Sequence, residues 1–259
     1  LPGSTPERDY KAFKTVFEDP RFKPDMLKIY PTVVIKGTKL YDMWVKGEYK
    51  PLELKECVEL LVKVKSEIPP WIRVMRVQRE IPVKDVAAGI KVGHLRMVVA
   101  DAMAARGLKC RCIRCREVGH AYFKRGELPE KVVLVRREYE AAGGTEIFLS
   151  FEDVSKDIIV GFLRLRILPE QVYRRELRGQ AIVRELHVYG PQVPIGRKEL
   201  LAWQHRGFGS RLLAEAERIS KEEFDCKKLF IISGVGVREY YRKKGYRRYP
   251  RSVYMYKNL

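Results

Sequence analysis

Two glycines placed just before a helix-like run are the residues whose type and spacing point most directly to a chemistry. Gly207 and Gly209 end a turn that starts at Gln204, and apolar residues recur after it with a helical period. The start of a helix offers unpaired N–H groups and the positive end of its dipole, and glycine lets an anion approach the backbone. The segment therefore predicts a site for a pyrophosphate. The alternative is an ordinary turn before a surface helix.

The spacing of this turn distinguishes it from other phosphate-binding motifs. A dinucleotide fingerprint needs a third glycine, and a Walker loop needs Gly-Lys followed by Ser or Thr. The pattern Gln204-x-x-Gly207-x-Gly209 instead resembles the acetyl-CoA signature of the GNAT acyltransferases. That resemblance implies cofactor contacts from the whole turn, namely Gln204, Arg206, Gly207, Phe208, Gly209 and Ser210.

A strand upstream of the turn completes the expected cofactor cleft. Residues 181–188 alternate enough to form a strand. In the GNAT fold such a strand diverges from the next one, and its backbone contacts the pantetheine arm of acetyl-CoA. The resemblance therefore implies further cofactor contacts from Glu185, Leu186, His187 and Val188.

Two adjacent tyrosines in the helix-like segment 237–246 are the candidate catalytic residues. In GNAT enzymes a tyrosine of this helix stands near the thioester sulfur, where a phenol can protonate a leaving thiolate. Only one of two neighbours on a helix can face the cleft. We therefore expect Tyr241 to be the proton donor and to contact the cofactor, with Tyr240 as the alternative.

Three of the five cysteines gather in the pattern Cys110-x-Cys112-x-x-Cys115. Thiolates at this spacing can converge on one soft metal ion, and we predict zinc. The fourth ligand is left open among His120, His94, Cys57 and an acidic side chain. The alternative to a metal site is three reduced cysteines in a basic turn.

The chain is strongly basic, with 52 lysines and arginines against 33 acidic residues and a net charge of +19 spread over both halves. Such a potential favours a polyanion, although a merely solvated basic surface is the alternative. We predict nucleic-acid phosphate contacts at Arg73, Arg76 and Arg79 and at Arg111, Arg114 and Arg116. The cluster of Arg174, Arg175 and Arg178 is a further candidate, with Trp71 and Tyr173 as candidate stacking partners for bases. No apolar run approaches the ~20 residues of a membrane span, so we expect a cytoplasmic protein without a membrane partner.

The elements that must position these residues fall into three zones, which we take as domains. Residues 1–100 alternate strand-like and helix-like pieces, as the βα units of a barrel do, with a helix expected at 52–68. Residues 101–130 form a cysteine- and arginine-rich linker. Residues 131–259 begin with short strands joined by a hairpin turn at 143–145, and they predict an α/β domain with a mixed, largely antiparallel sheet.

The whole chain resembles one family, that of the Elongator catalytic subunit, which combines a radical-SAM domain with a GNAT acetyltransferase domain. The motifs that carry the resemblance are long enough to be specific. In the acetyltransferase part they are ELHVYG at 185–190, QHRGFG at 204–209, EAERI at 215–219 and SGVGVR at 233–238. Outside it they are LPGSTPERD at 1–9, FKPDMLKIYP at 22–31 and CIRCREVGH at 112–120.

The resemblance also implies what each zone is. Residues 1–100 would be the C-terminal part of a radical-SAM partial (βα) barrel, residues 101–130 a zinc-binding linker and residues 131–259 a complete acetyltransferase domain. The family's iron-sulfur cysteines lie upstream of every residue present, so we expect the chain to be part of a longer polypeptide. The 4Fe-4S cluster and S-adenosylmethionine are therefore assigned to none of these residues.

The family implies a reaction in which acetyl-CoA supplies a carbon unit to tRNA. The acetyl group would become a carboxymethyl group on C5 of the wobble uridine, with the anticodon stem-loop as partner and with or without accessory Elongator subunits. The GNAT motifs alone also permit a protein lysine acetyltransferase, such as a histone acetyltransferase. A tRNA-binding fragment without activity is the third alternative.

Overall fold

The computed structural model describes residues 1–190 and 207–259, which divide into two compact units. The first unit is Leu1–Cys115 and the second is Arg116–Leu259. The zone 101–130 is divided between them, and the helix Leu95–Ala104 runs across its expected start. Within the described ranges, no helix combines the length and the hydropathy that a membrane span requires.

The first unit is built from helices and short strands. α1 begins where the Thr5 hydroxyl accepts a hydrogen bond from the Arg8 N–H at 3.2 Å. β1 and β3 pair in parallel, as βα units predict, and β2 and β4 pair antiparallel. The elements are α1 (Pro6–Glu18), β1 (Met26–Lys28), β2 (Val34–Ile35), α2 (Lys39–Val45), α3 (Leu54–Ser66), β3 (Arg73–Arg76), β4 (Val86–Ala88), α4 (Leu95–Ala104) and the short α5 (Ile113–Arg116), which ends on the first residue of the second unit.

The helix predicted at 52–68 is confirmed as α3. The Glu56 carboxylate accepts a hydrogen bond from the Glu53 N–H at 3.0 Å and so satisfies a backbone donor at the helix start. α3 buries Leu61 and Val64 in a core shared with α1 and α4. Cys112 lies in this same core.

The second unit is organised around a seven-stranded sheet with the order β10-β11-β9-β8-β7-β6-β5. Every neighbouring pair is antiparallel except β8 with β9, which confirms the mixed, largely antiparallel sheet. The turn at Ala142 and Gly143 confirms the predicted hairpin. The elements are α6 (Val118–Arg125), β5 (Val133–Ala141), β6 (Gly144–Asp153), β7 (Ile158–Ile167), β8 (Ala181–Val188), α7 (Phe208–Arg218), β9 (Lys228–Ile231), α8 (Arg238–Arg242), β10 (Arg247–Arg248) and β11 (Met255–Asn258).

One face of this sheet carries the main core of the unit. α7 contributes Leu212 and Leu213, and α6 contributes Val118 and Ala121, to a cluster of apolar side chains from β6 to β9. α7 continues into a π-helical turn at Ile219–Glu223. Because strand side chains alternate between faces, the other residues of β6 and β7 project to the opposite side.

The opposite face of β6, β7 and β8 holds buried, ion-paired charges. The Glu152 carboxylate accepts hydrogen bonds from Arg116 and, at 2.7 Å, from Arg137. Arg164 donates to Glu185 at 2.9 Å. Burial acts to raise the pKa of Glu152, but the hydrogen bond from Arg137 and the charge of Arg116 outweigh it, so the pKa is lowered.

Candidate functional site

The start of α7 is shaped to receive an anion. Gly207 is the residue before the helix, and its φ of +78° lies in the left-handed region that favours glycine. Among the described residues, no side chain caps this helix start. Its first N–H groups and the helix dipole therefore point towards a place where a phosphate would be stabilised. Gln204 and Arg206, also predicted to contact the cofactor, lie outside the described residues.

Gly209 lies close to Tyr240 and to the end of β8. A Cβ atom built on it would come 3.2 Å from the Tyr240 hydroxyl and 3.6 Å from the Val188 side chain. The phenol of Tyr240 and the end of β8 thus flank the same helix turn. Any side chain at this position would occupy the space beside the helix N-terminus.

β8 and β9 diverge at this point. β9 pairs in parallel only with Ala181, Ile182 and Val183 of β8, whereas β7 pairs with β8 along its length. A register shift in the β7–β8 pairing accompanies the divergence and leaves Arg184 as the extra residue. The second half of β8 therefore has a backbone edge that β9 does not cover, which agrees with the expected cofactor strand.

The four residues of β8 predicted to contact the cofactor point their side chains to two sides. Leu186 and Val188 pack against the main core. Glu185 is ion-paired with Arg164, and the His187 ring lies 6.1 Å from that of Phe162 on the opposite face. The backbone N–H and C=O groups of these four residues lie along one edge of the strand. The backbone is therefore the part of β8 that can contact an extended ligand.

The two adjacent tyrosines occupy different environments. Tyr241 is 6% exposed and packs in the main core, with its ring 6.1 Å from Tyr246, and burial raises its pKa to about 12. Tyr240 is 37% exposed, and its hydroxyl lies beside Gly209. The prediction that Tyr241 faces the cleft disagrees with this geometry. Tyr241 is the buried residue of the five-residue helix α8, and its neighbour Tyr240 lies on the side of the helix that faces Gly209.

Sequence reasoning missed Arg211, an exposed residue in the first turn of α7. Its guanidinium lies 4.5 Å from the centroid of the Phe151 ring, and Phe151 in turn contacts Phe208 with centroids 4.7 Å apart. A cation held at a helix N-terminus by an aromatic ring is suited to a phosphate. The sequence could have indicated Arg211, because a residue four positions after Gly207 lies about one helical turn further on, on the same side of the helix.

The three clustered cysteines do converge. The sulfur atoms of Cys110, Cys112 and Cys115 lie within 4.8 Å of one another, a separation that thiolates about 2.3 Å from one zinc ion can adopt. Hydrogen bonds from Cys110 and Cys115 lower the pKa of the Cys112 thiol. Two backbone bonds fix the loop, from Ile113 N–H to the Ile72 carbonyl at 2.9 Å and from Cys115 N–H to the Cys112 carbonyl at 3.0 Å. The donor set therefore fits a soft metal ion.

Among the described residues, no fourth metal ligand joins the three thiols. Cys57 lies in the core of the first unit, where burial raises its pKa to about 11. His94 is exposed immediately before α4. His120 lies on α6 in the second unit, with its Nε2 3.2 Å from the Glu117 carboxylate.

The six predicted phosphate contacts divide by exposure. Arg76, Arg79 and Arg111 are exposed, Arg76 with an ion pair to Glu80 at 3.1 Å, and Arg73 and Arg114 are partly exposed. Arg116 contradicts the prediction. It is 1% exposed and its guanidinium is held by Glu152 and, at 2.8 Å, by Asp157, so it offers no nitrogen to an external phosphate.

Comparison with known proteins places the chain among a defined set of relatives. The Radical_SAM C-terminal domain model matches residues 24–105. The tRNA uridine(34) acetyltransferase of Methanocaldococcus jannaschii is 53% identical over 253 residues, which are 96% of this chain and 46% of the relative. Elongator complex protein 3 of Homo sapiens is 49% identical over 248 residues, 95% of this chain and 45% of the relative.

A solved structure agrees along the whole chain. The archaeal Methanocaldococcus infernus Elp3 with an N-terminal deletion matches with a TM-score of 0.93 and 52% identity, over 100% of this chain and 61% of that chain. The chain spans about half the length of the curated relatives it matches.

Proposed function

The chain belongs to the family of Elongator complex protein 3 and the archaeal tRNA uridine(34) acetyltransferases, and from this premise we propose that it is the acetyl-CoA-binding part of an acyltransferase that modifies tRNA. The proposed acceptor is C5 of the wobble uridine, which receives a carboxymethyl group built from the acetyl group. The observation that carries the proposal is the start of α7, which no side chain of residues 1–190 or 207–259 caps, beside the diverging strands β8 and β9.

The proposed acetyl-CoA site uses backbone more than side chains. The pyrophosphate lies against the N–H groups of Phe208, Gly209 and Ser210, with Arg211 as a neighbouring cation. The pantetheine arm runs along the edge of β8 from Glu185 to Val188, where β9 leaves the backbone accessible. The Tyr240 hydroxyl lies at the Val188 end of this edge, beside Gly209, so it is the phenol of the adjacent pair that faces the proposed cofactor site.

Tyr240 supplies the proton in the proposed cleavage of the thioester. When the acyl carbon is attacked and the bond to sulfur breaks, the thiolate leaves with the electron pair, and a phenol that donates a proton to it lowers the barrier. Tyr241, buried behind Tyr240 at a ring distance of 5.2 Å, orients its neighbour. When bound in the whole protein, S-adenosylmethionine and the cluster would supply the removal of one hydrogen atom from the acetyl methyl group and of a proton and an electron from C5, so that the methyl carbon bonds to C5 of the uridine. Water then attacks the acyl carbon, and CoA leaves as the thiol.

The metal and the remaining partners complete the proposal. Cys110, Cys112 and Cys115 would hold zinc, which ties the loop after α4 to the core of the first unit without taking part in the reaction. The match to a Radical_SAM C-terminal domain supports S-adenosylmethionine and an iron-sulfur cluster in the whole protein. A cytoplasmic location and accessory subunits stay predictions.

Acetyl-CoA binding tests the proposal through Gly209→Ala. The new Cβ occupies the phosphate side of the turn, 3.2 Å from the Tyr240 hydroxyl, while alanine favours the helix itself. We expect roughly tenfold or greater loss of affinity by calorimetry, since the pyrophosphate contacts require close approach. The matched control is Gly119→Ala on α6, where a Cβ meets open space. Equal affinity in both variants would contradict the proposed cofactor site.

The tRNA part of the proposal is tested separately by acetyl-CoA hydrolysis. The rate is measured for the full chain with tRNA, without it, and with a double-stranded DNA of similar charge. Stimulation by tRNA alone is expected, because the acceptor completes the site. A rate that does not respond to tRNA would mean that the acyl acceptor is something else, such as a lysine side chain.

A further inference from the structure

A cluster of aromatic rings lies on the second unit away from α7. Phe230 of β9 stacks on Tyr256 of β11 with centroids 6.0 Å apart and an interplanar angle of 26°. Tyr249 and Tyr254 lie 5.4 and 6.3 Å from Phe230. Leu229 and Ile231, the strand neighbours of Phe230, belong instead to the main core, so the cluster is on the opposite face of the sheet from α7.

Cations lie over these rings. The Arg247 guanidinium is 4.9 Å from the centroid of Tyr256, and that of Arg174 is 5.4 Å from the centroid of Tyr254. A guanidinium within about 6 Å of a ring centroid is attracted by the ring and is still able to contact an anion. Two guanidinium cations therefore lie over rings of the same aromatic cluster.

The charge of this region is positive and little compensated. Residues 247–258 contain four cations and no carboxylate, and one of the four, Lys257, pairs with Glu217 of α7 at 2.7 Å. Within the described ranges, Arg175, Arg247 and Arg251 are exposed and make no ion pair, and Arg174 pairs with Glu176 at 3.3 Å. Surface arginines are usually balanced by nearby carboxylates, so an unbalanced group indicates an anionic partner.

Tyr173 projects from the same region into solvent. It is 100% exposed, while its neighbour Val172 packs against the aromatic cluster. The Val172 carbonyl also accepts a hydrogen bond from Arg178 at 3.4 Å, which holds the backbone beneath the ring. A fully exposed phenol on an anchored backbone, next to arginines, offers a flat face on which a base can stack.

We propose that this surface, the arginine–tyrosine face formed by Tyr173, Arg174, Arg175, Arg247 and Arg251, binds unpaired nucleotides of an RNA outside the acetyl-CoA cleft. The arginines contact successive phosphates and Tyr173 stacks on one base. An acidic protein segment would match the charge but offers no planar group for Tyr173. The inference rests on the proposed tRNA substrate and adds a second place at which RNA is held.

The test measures how a fluorescein-labelled RNA hairpin with an unpaired loop binds the full chain, by anisotropy across a range of salt concentrations. Arg175→Glu combined with Arg247→Glu should weaken RNA binding about tenfold or more. The slope of log affinity against log salt concentration should become less steep by about 1.4, because each lost phosphate contact on a single strand contributes about 0.7. Tyr173→Ala should weaken binding roughly tenfold with the slope unchanged, and Tyr173→Phe should restore it.

The control variant carries Lys131→Glu and Lys221→Glu, two exposed lysines outside the face, so its total charge equals that of the double arginine variant. Equal losses in the two double variants would overturn the inference, because the attraction would then be spread over the whole surface. Polyglutamate that binds with the same dependence on Tyr173 would also overturn it. If the unaltered chain binds no RNA, the proposed tRNA substrate fails together with the inference, whereas normal acetyl-CoA binding would still stand.

Discussion

Tyr240 and Tyr241 are adjacent in the chain, but their surroundings give them different chemistry. A buried phenol such as Tyr241, whose pKa is raised to about 12 by desolvation, gives up its proton reluctantly and has no path to a substrate. The Tyr240 hydroxyl lies 3.2 Å from the Cβ position of Gly209, beside the helix start at which the cofactor is proposed to bind. Of the two phenols, Tyr240 is therefore the one that we propose as the proton donor.

The pair can be separated by single substitutions. Tyr240→Phe should change the affinity for acetyl-CoA by less than about threefold. It should slow thioester cleavage roughly a hundredfold, since general acids typically accelerate a reaction by about this factor or more. Tyr241→Phe is the control and should change the cleavage rate little, because its hydroxyl lies in the core. The reverse order in single-turnover assays would return the role to Tyr241.

The ionisation of Glu152 should affect the stability of the second unit. Its pKa is lowered in the folded state, so its stabilising effect is present above the unfolded pKa of about 4.3 and is lost as the pH falls through the folded value. Glu152→Gln should lower the free energy of unfolding at pH 7 by about 3 kcal/mol, since Arg116 stays buried with less compensation.

The pH profile of that variant is the sharper readout. Urea unfolding followed by circular dichroism should show a smaller loss of stability between pH 6 and pH 3 in Glu152→Gln than in the unaltered chain. Glu138→Gln, which removes an exposed carboxylate paired with Arg136, should cost less than about 1 kcal/mol. Equal losses of unfolding free energy in Glu152→Gln and Glu138→Gln would mean that the burial of the Arg116 ion pair does not contribute to stability.

At the scale of elements, the loop between α4 and α5 is tied to α3 by the ion pair of Arg106 with Glu59. The backbone bond from Ile113 to Ile72 and the packing of Cys112 in the core hold its other end. A metal bound by the three thiols would add a crosslink between residues close in sequence, which stabilises such a loop because the unfolded chain lacks the preformed site.

Metal analysis of freshly purified, chelator-free protein checks this point. We expect about one zinc ion per chain, lost in Cys112→Ser together with protection of the loop against proteolysis. Cys226→Ser, in the second unit, and Cys57→Ser should both keep the metal. Zinc that is absent from the unaltered protein, or lost equally in Cys226→Ser, would leave the cysteines as packing residues.

Elements with a strong local signal were predictable from the sequence. α3, β8 and the hairpin of β5 and β6 are confirmed because hydrophobic period, alternation and glycine turn chemistry are properties of neighbouring residues. α1 and α4 were not predicted, since their buried positions are few or their composition is apolar all round. The burial of Arg116 could not be predicted either, because its partners Glu152 and Asp157 lie far along the sequence.

At the scale of the whole molecule, the net charge of +19 is carried by two units with separate cores. Sequence motifs identified the family, and relatives at about half identity confirm it across both units. The exposed fraction of each arginine side chain distinguishes arginines that can contact a polyanion from those that form ion pairs inside the protein. Arg116 and Arg164, each 1% exposed, belong to the second group. The formal charge alone could not make this distinction.

β11 lies between β9 and β10 although it is the last strand in the sequence. β5 to β8 pair with their neighbours along the chain, and such local contacts form sooner than the parallel pairing of β8 with β9. During synthesis on a ribosome, the four-stranded meander would fold first and wait for β9 and β11 to emerge. The edge of β8 that β9 pairs with therefore stays unpaired in the nascent chain until β9 emerges, and a chaperone has to shield it from other strands in the meantime.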